Sequence, residues 1–250
     1  MKELSLFIVS FFLFLISISS VLAQKEMKLA ESLDKNSTPM QAKPKGIGTV
    51  TKYQFGPYKI VSGKEGWTTT TANSRFFSLH TESKSKKKLS FVFVKDLKDS
   101  VLVNVSVNTD IKQMDSHFAE GWSILKDSKE NYMAIMSFPS DTATWRMMIA
   151  NRVGSDVKGE PFEGMLTDGN SSIQIKEVEE WNDGKKSKII GTVGYEFYSG
   201  GSSVAAVQAS PDTFQKKIVW IRSDVDTKLQ LILAAASAAM MVRVESTLTD

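Results

Sequence analysis

From Leu229 to Val242 the chain carries fourteen residues without a charge, bracketed by Lys228 and Arg243. Ala, Leu and Met dominate the run, and all three are strong helix formers. Upstream, Ser223-Asp224-Val225-Asp226 resembles a capping box with Asp in place of Glu. A helix over 224–243 follows, apolar around its whole circumference, and such a helix must be surrounded by something. A bilayer, a neighbouring subunit and the chain's own sheet are the three surroundings on offer. Fourteen residues reach roughly 21 Å, short of the ~30 Å hydrocarbon layer. The expected surrounding is therefore the chain's own core, with Ala234, Ala235, Ala236, Ala238 and Ala239 allowing close approach.

The rest of the chain from Tyr53 onward reads as strands. Val101, Val103, Val105 and Val107 alternate with Leu102, Asn104 and Ser106, the period-two pattern of a strand with one apolar face. Leu89 to Val94 is its expected partner across a loop from Lys95 to Ser100. Tyr132 to Phe138 and Trp145 to Ala150 form a second pair, apolar enough on both faces to be covered on both. Ser172 to Trp181 and Lys186 to Tyr198 flank Asn182-Asp183-Gly184, where a type I′ turn is expected. Asp168-Gly169-Asn170 and Ser199-Gly200-Gly201 mark further turns. Consecutive hairpins make an antiparallel meander of nine or ten strands, too many for one flat sheet. The expected fold is mainly β (α+β): a meander curled into a two-layer sandwich or a barrel-like sheet, with the C-terminal helix packed on it. A short helix carrying Ile111, Met114 and Phe118 is expected after Asp110.

The amino terminus supplies an address. Lys2 precedes an apolar run from Leu6 to Ile18, and Val21-Leu22-Ala23 places small residues where a signal peptidase cuts. Residues 1–23 read as a secretory signal peptide, 24–52 as a flexible tether poor in large apolar residues, and 53–250 as one β-rich domain. The chain has no cysteine, which excludes thiol catalysis, thiolate metal sites and a lipid-modified cysteine. A cysteine-free exported chain fits a bacterial envelope, at the periplasm, at the cell surface or in the medium. Its net charge of +3 is too mild to point to nucleic acid, and membrane association is not expected once the leader is gone.

Signatures of chemistry are scarce. His80 and His117 are the two histidines, and neither has the companions a metal site needs. No nucleophile elbow, phosphate-binding glycine loop or dinucleotide fingerprint is present. No cofactor is expected. Lys84-Ser85-Lys86-Lys87-Lys88 reads as a soluble basic loop. Trp145 and Trp220 sit in apolar runs and are expected in the core. Trp181, at a hairpin tip, and Trp67, before four threonines, are the aromatics expected at the surface, with Glu179 beside Trp181. Exposed aromatics next to hydroxyls and carboxylates suit the faces of sugars, so these three residues are the expected ligand contacts. The function that follows is an exported, non-enzymatic binding protein whose partner is a glycan or an envelope protein. A hydrolase working through Asp and Glu is the first alternative. An assembly component docking through its apolar helix is the second.

Overall fold

The computed structural model describes residues 25–45, 50–66, 85–108, 128–139, 144–152, 162–186, 192–209 and 215–247. The leader, Trp67, both histidines and the 110–118 helix lie outside them. Twelve strands close into an antiparallel barrel. They are β1 (Met40–Lys45), β2 (Lys52–Phe55), β3 (Tyr58–Glu65), β4 (Ser85–Lys95), β5 (Asp99–Asn108) and β6 (Ser128–Ser137), then β7 (Thr144–Arg152), β8 (Phe162–Thr167), β9 (Ser172–Val178), β10 (Gly194–Ser199), β11 (Ser202–Gln208) and β12 (Lys217–Ile221). Each strand pairs with the next, and β1 pairs with β12 to shut the ring. The curled sheet is thus a barrel rather than a two-layer sandwich.

Alternation along each strand decides which side chains fill the barrel. On β5, Val101, Val103 and Val105 are fully buried, while Leu102, Asn104 and Ser106 lie half-exposed outside. On β4, Phe91 and Phe93 point in, and Phe93 joins Phe55 and Tyr58 in an aromatic group with ring centroids 5.8 to 6.1 Å apart. Strand β7 is buried on both faces from Met147 to Ala150, as its composition implies; on β6, from Tyr132 to Ser137, buried Tyr132, Ala134 and Met136 alternate with half-buried residues. Ser85 to Lys88 are not a loop but the start of β4; Lys84 lies outside the described residues. At the β9 hairpin Gly184 alone takes positive φ (+76°), and its N–H donates to the Trp181 carbonyl at 2.9 Å. The turn is therefore not type I′, since Asp183 does not share the left-handed conformation.

The helix does not lie on the sheet; it threads the barrel. It is α2 (Thr227–Thr247), and it touches β4, β5 and β6 on one side and β11 and β12 on the other. From Leu231 to Val244 every residue is buried. A twelve-stranded barrel is wide enough for this, because eight strands are already filled by side chains and diameter grows with strand number. Small residues face the helix where the wall comes close, as at Ala134 and Ala205. Twenty-one residues reach about 31 Å, so length alone would let α2 cross a bilayer. Enclosure in the wall supplies its surroundings instead, from Leu231 through Val244. Asp226, not Ser223, caps the first turn: its Oδ1 accepts from the N–H groups of Lys228 (2.9 Å) and Leu229 (3.2 Å).

The expected tether is part of the fold. Residues 25–37 form a strap across the outside of β10, β11 and β12, with one helical turn, α1 (Glu31–Asp34). Met27 and Leu33 are buried there with Trp181, Val193, Ala206, Ile218 and Trp220 in a second apolar cluster. Two side chains on the outer face of the wall anchor the strap. Buried Gln208 accepts from the Met27 N–H through Oε1 (2.7 Å), and its Nε2 donates to the carbonyls of Lys25 (3.2 Å) and Lys216 (2.9 Å). Glu196 accepts from the Ala30 N–H at 2.8 Å. Strand β1 follows the strap. It was not legible because Ala42 is its one buried residue, the rest of Met-Gln-Ala-Lys-Pro-Lys being half-buried or exposed. Pro44 comes after the last β1–β12 pair, at Ala42, so its missing N–H leaves the closing ladder intact.

Candidate functional site

Of the expected ligand contacts, the two that lie among the described residues are already engaged within the fold. Trp181 is 8% exposed, held under the strap by a bridge to Met27. Glu179 is half-buried and accepts an ion-pair hydrogen bond from Lys186 at 3.0 Å. Trp67 lies outside the described residues. The hairpin tip is a set of ion pairs. Lys28 reaches Glu180 at 2.8 Å and Lys25 reaches Asp183 at 2.9 Å, and these hydrogen bonds hold both carboxyls below their ordinary range.

A better-built site lies at the mouth of the barrel where α2 goes in. A cavity of about 280 Å³ is lined there by Trp145, Asp168, Ser171, Ile173, Ser199, Asp226, Lys228 and Leu229. Two turns, strands β7 and β9 and the helix start supply these residues. Asp168 and Ser171 come from the β8–β9 turn, where the Asp168 Oδ1 accepts from the N–H groups of Asn170 (2.9 Å) and Ser171 (2.7 Å). Ser199 begins the β10–β11 turn, which needs Gly200 and Gly201 at positive φ. Asp226 is the helix cap. Trp145 and Ile173 form the apolar floor, both under a tenth exposed.

The two aspartates share one arrangement. Each commits Oδ1 to two backbone N–H groups and leaves Oδ2 without a hydrogen-bond partner among the described residues. The hydroxyls of Ser171 and Ser199 are equally unengaged there. Lys228 places its ammonium 4.9 Å from the centre of the Phe138 ring, at the rim. Close to the mouth, Ser203 is fully buried and its hydroxyl has no hydrogen-bond partner among the described residues.

The far end of the lumen is also polar but filled. Arg243 donates to the Tyr195 hydroxyl (3.3 Å) and sits 5.8 Å from the Tyr132 ring centre; Tyr132 donates to the Ala239 carbonyl at 2.7 Å. Burial raises the Tyr132 phenol well above its ordinary value, with Arg243 opposing. Burial also raises the Glu177 carboxyl, against the hydrogen bond from Thr192 (2.8 Å) and the charge of Arg243. No grouping of three or more metal-ligating side chains occurs among the described residues.

Compared with known proteins, the chain matches no family model, and no curated protein or solved structure is significantly similar to it. The site must be read from its own chemistry. Sequence reasoning recognised Asp168-Gly169-Asn170 as a turn and Asp226 as part of a cap, and stopped there. A capping carboxylate uses one oxygen and leaves the other open, a signal that local spacing does not show.

Proposed function

We propose that the protein is an exported binding protein that takes a small polyhydroxylated ligand, a sugar residue, in the mouth cavity. One observation carries this reading: two carboxylates and two hydroxyls, each with an oxygen unpartnered among the described residues, line one cavity with an indole in its floor. Sugar hydroxyls are good donors to carboxylate oxygens, and the C–H face of a pyranose packs on apolar surface. The volume suits one ring better than a long ligand. Turns held by their own hydrogen bonds pre-form the site, so little ordering accompanies binding. Export is proposed from the leader. Cleavage after Ala23 would keep the strap from Lys25 whole.

Calorimetry of the processed protein against a panel of neutral and amino monosaccharides tests the reading. Saturable heat is expected for at least one sugar. Ser199→Leu should abolish it, because the larger side chain takes up cavity space while the helix-capping Asp226 itself is unchanged. If no sugar binds, the reading fails. Two carboxylates lining one cavity also favour a hydrolase as a second reading. Release of reducing ends from oligosaccharides by the wild type, lost in Asp168→Asn, would put the enzyme in place of the binder.

A further inference from the structure

A second surface lies on the barrel wall. The outward-facing residues of β1 are Gln41, Lys43 and Lys45; those of β2 are Lys52 and Gln54; β3 adds Lys59. Register sets them side by side, with Lys43 opposite Gln54, Lys45 opposite Lys52 and Gln54 opposite Lys59. None of these four lysines has a carboxylate partner among the described residues, whereas Lys25, Lys28, Lys35 and Lys186 all do. No acidic residue occurs in β1, in β2 or in β3 before Glu65.

Two features make this more than a solvated face. Lysines directly opposite each other, as Lys45 and Lys52 are, destabilise a strand pair. Lysine often guards an open sheet edge, but β1 and β2 are paired on both sides, so that reason is missing here. The patch also has depth. A hollow of about 240 Å³ is lined by Gln41, Lys43, Lys45, Gln54, Phe55 and Gly56. No residue of it lines the mouth cavity.

We infer that a linear anionic glycan binds along β1 and β2, its acid groups on Lys43, Lys45, Lys52 and Lys59 and one ring in the hollow. Side chains two residues apart on a strand leave the backbone about 6.7 Å apart, and neighbouring strands lie about 4.8 Å apart. That ladder suits a chain with repeating charges. A flat bilayer would meet only the crest of the convex wall and leave the hollow empty. This inference goes beyond the mouth reading and does not rest on it.

The probe is polygalacturonate, with neutral dextran and vesicles of anionic phospholipid as comparisons, and the protein is the processed full chain. Binding to polygalacturonate is expected, weakening as salt rises, with none to dextran. Lys43→Glu/Lys45→Glu should lower affinity by about tenfold or more, if each lost contact is worth an exposed ion pair. Lys45→Glu alone separates binding from folding. It sets opposite charges against Lys52, so it should raise the melting temperature while it weakens binding. Ser199→Leu should leave polygalacturonate binding unchanged, so failure of the mouth reading and failure of this one are told apart. Absence of polygalacturonate binding, insensitivity to the double substitution, or stronger binding to the vesicles would each overturn the inference.

Discussion

The molecule has two apolar clusters, and they are held in different ways. Inside the barrel, α2 is buried on all sides, from Leu231 through Val244, against inward side chains of the wall. Outside, Met27 and Leu33 of the strap and five buried residues beneath it form the second cluster. The lumen needs few polar contacts, because its apolar area is large and continuous; its hydrogen bonds, such as Tyr132 to Ala239, satisfy groups already there. The strap covers too little area to hold itself by burial alone. Its backbone N–H groups at Met27 and Ala30 are taken up by Gln208 and Glu196, side chains that the wall turns outward for that purpose. Where apolar area is plentiful, shape decides; where it is thin, buried hydrogen bonds set the position.

That contrast can be broken most sharply in the lumen. Leu233→Ala leaves a hole that neither helix nor closed wall can collapse into, and should cost about 2–5 kcal/mol of global stability, read from the denaturant midpoint. A loss as small as that of a surface substitution would mean that the helix is not packed as described. The strap should respond locally. Gln208→Ala orphans the Met27 N–H and should cost about 1–3 kcal/mol. Hydrogen exchange should speed up first across 27–34, with the amides of β5 and β6 little changed. Equal acceleration in both regions would merge the two clusters into one cooperative unit.

The smallest effect concerns pH near Glu177 and Arg243 in the lumen. Glu177 is held above its ordinary 4.5 in the folded state, chiefly by burial. A folded state that keeps this proton longer than the unfolded chain loses stability as pH rises from about 4.5 through the folded value. Glu177→Gln should remove that part of the pH dependence, visible as a converging difference between the two proteins' midpoints toward acid pH. The exposed carboxyls at the hairpin act with opposite sign, since theirs are lowered. They are common to both proteins and cancel in the comparison.

Several elements were legible before any coordinates. The alternation of Val101, Val103 and Val105 describes a β-strand, and the uncharged run after Lys228 describes a buried helix. Trp145 and Trp220 are core residues as read. The candidate site was not legible. Trp181 looked exposed because a hairpin tip is usually exposed, and only the strap, from a distant part of the chain, covers it. The mouth cavity draws on Trp145, Asp168, Ser199 and Asp226, which no local spacing relates. Strand β1 was missed for the same reason, since one alanine facing inward leaves no hydrophobic rhythm to detect.

Taken alone, the order of residues determined strand periodicity, turn positions and a helix that had to be enclosed, because each depends on neighbours a few residues apart. Tertiary structure alone decided that the sheet closes through β1 and β12, that the helix runs inside it, and that two capping aspartates face one cavity. Those outcomes rest on contacts between segments far apart in the chain, where closing the loop costs entropy that only the complete set of packed partners offsets.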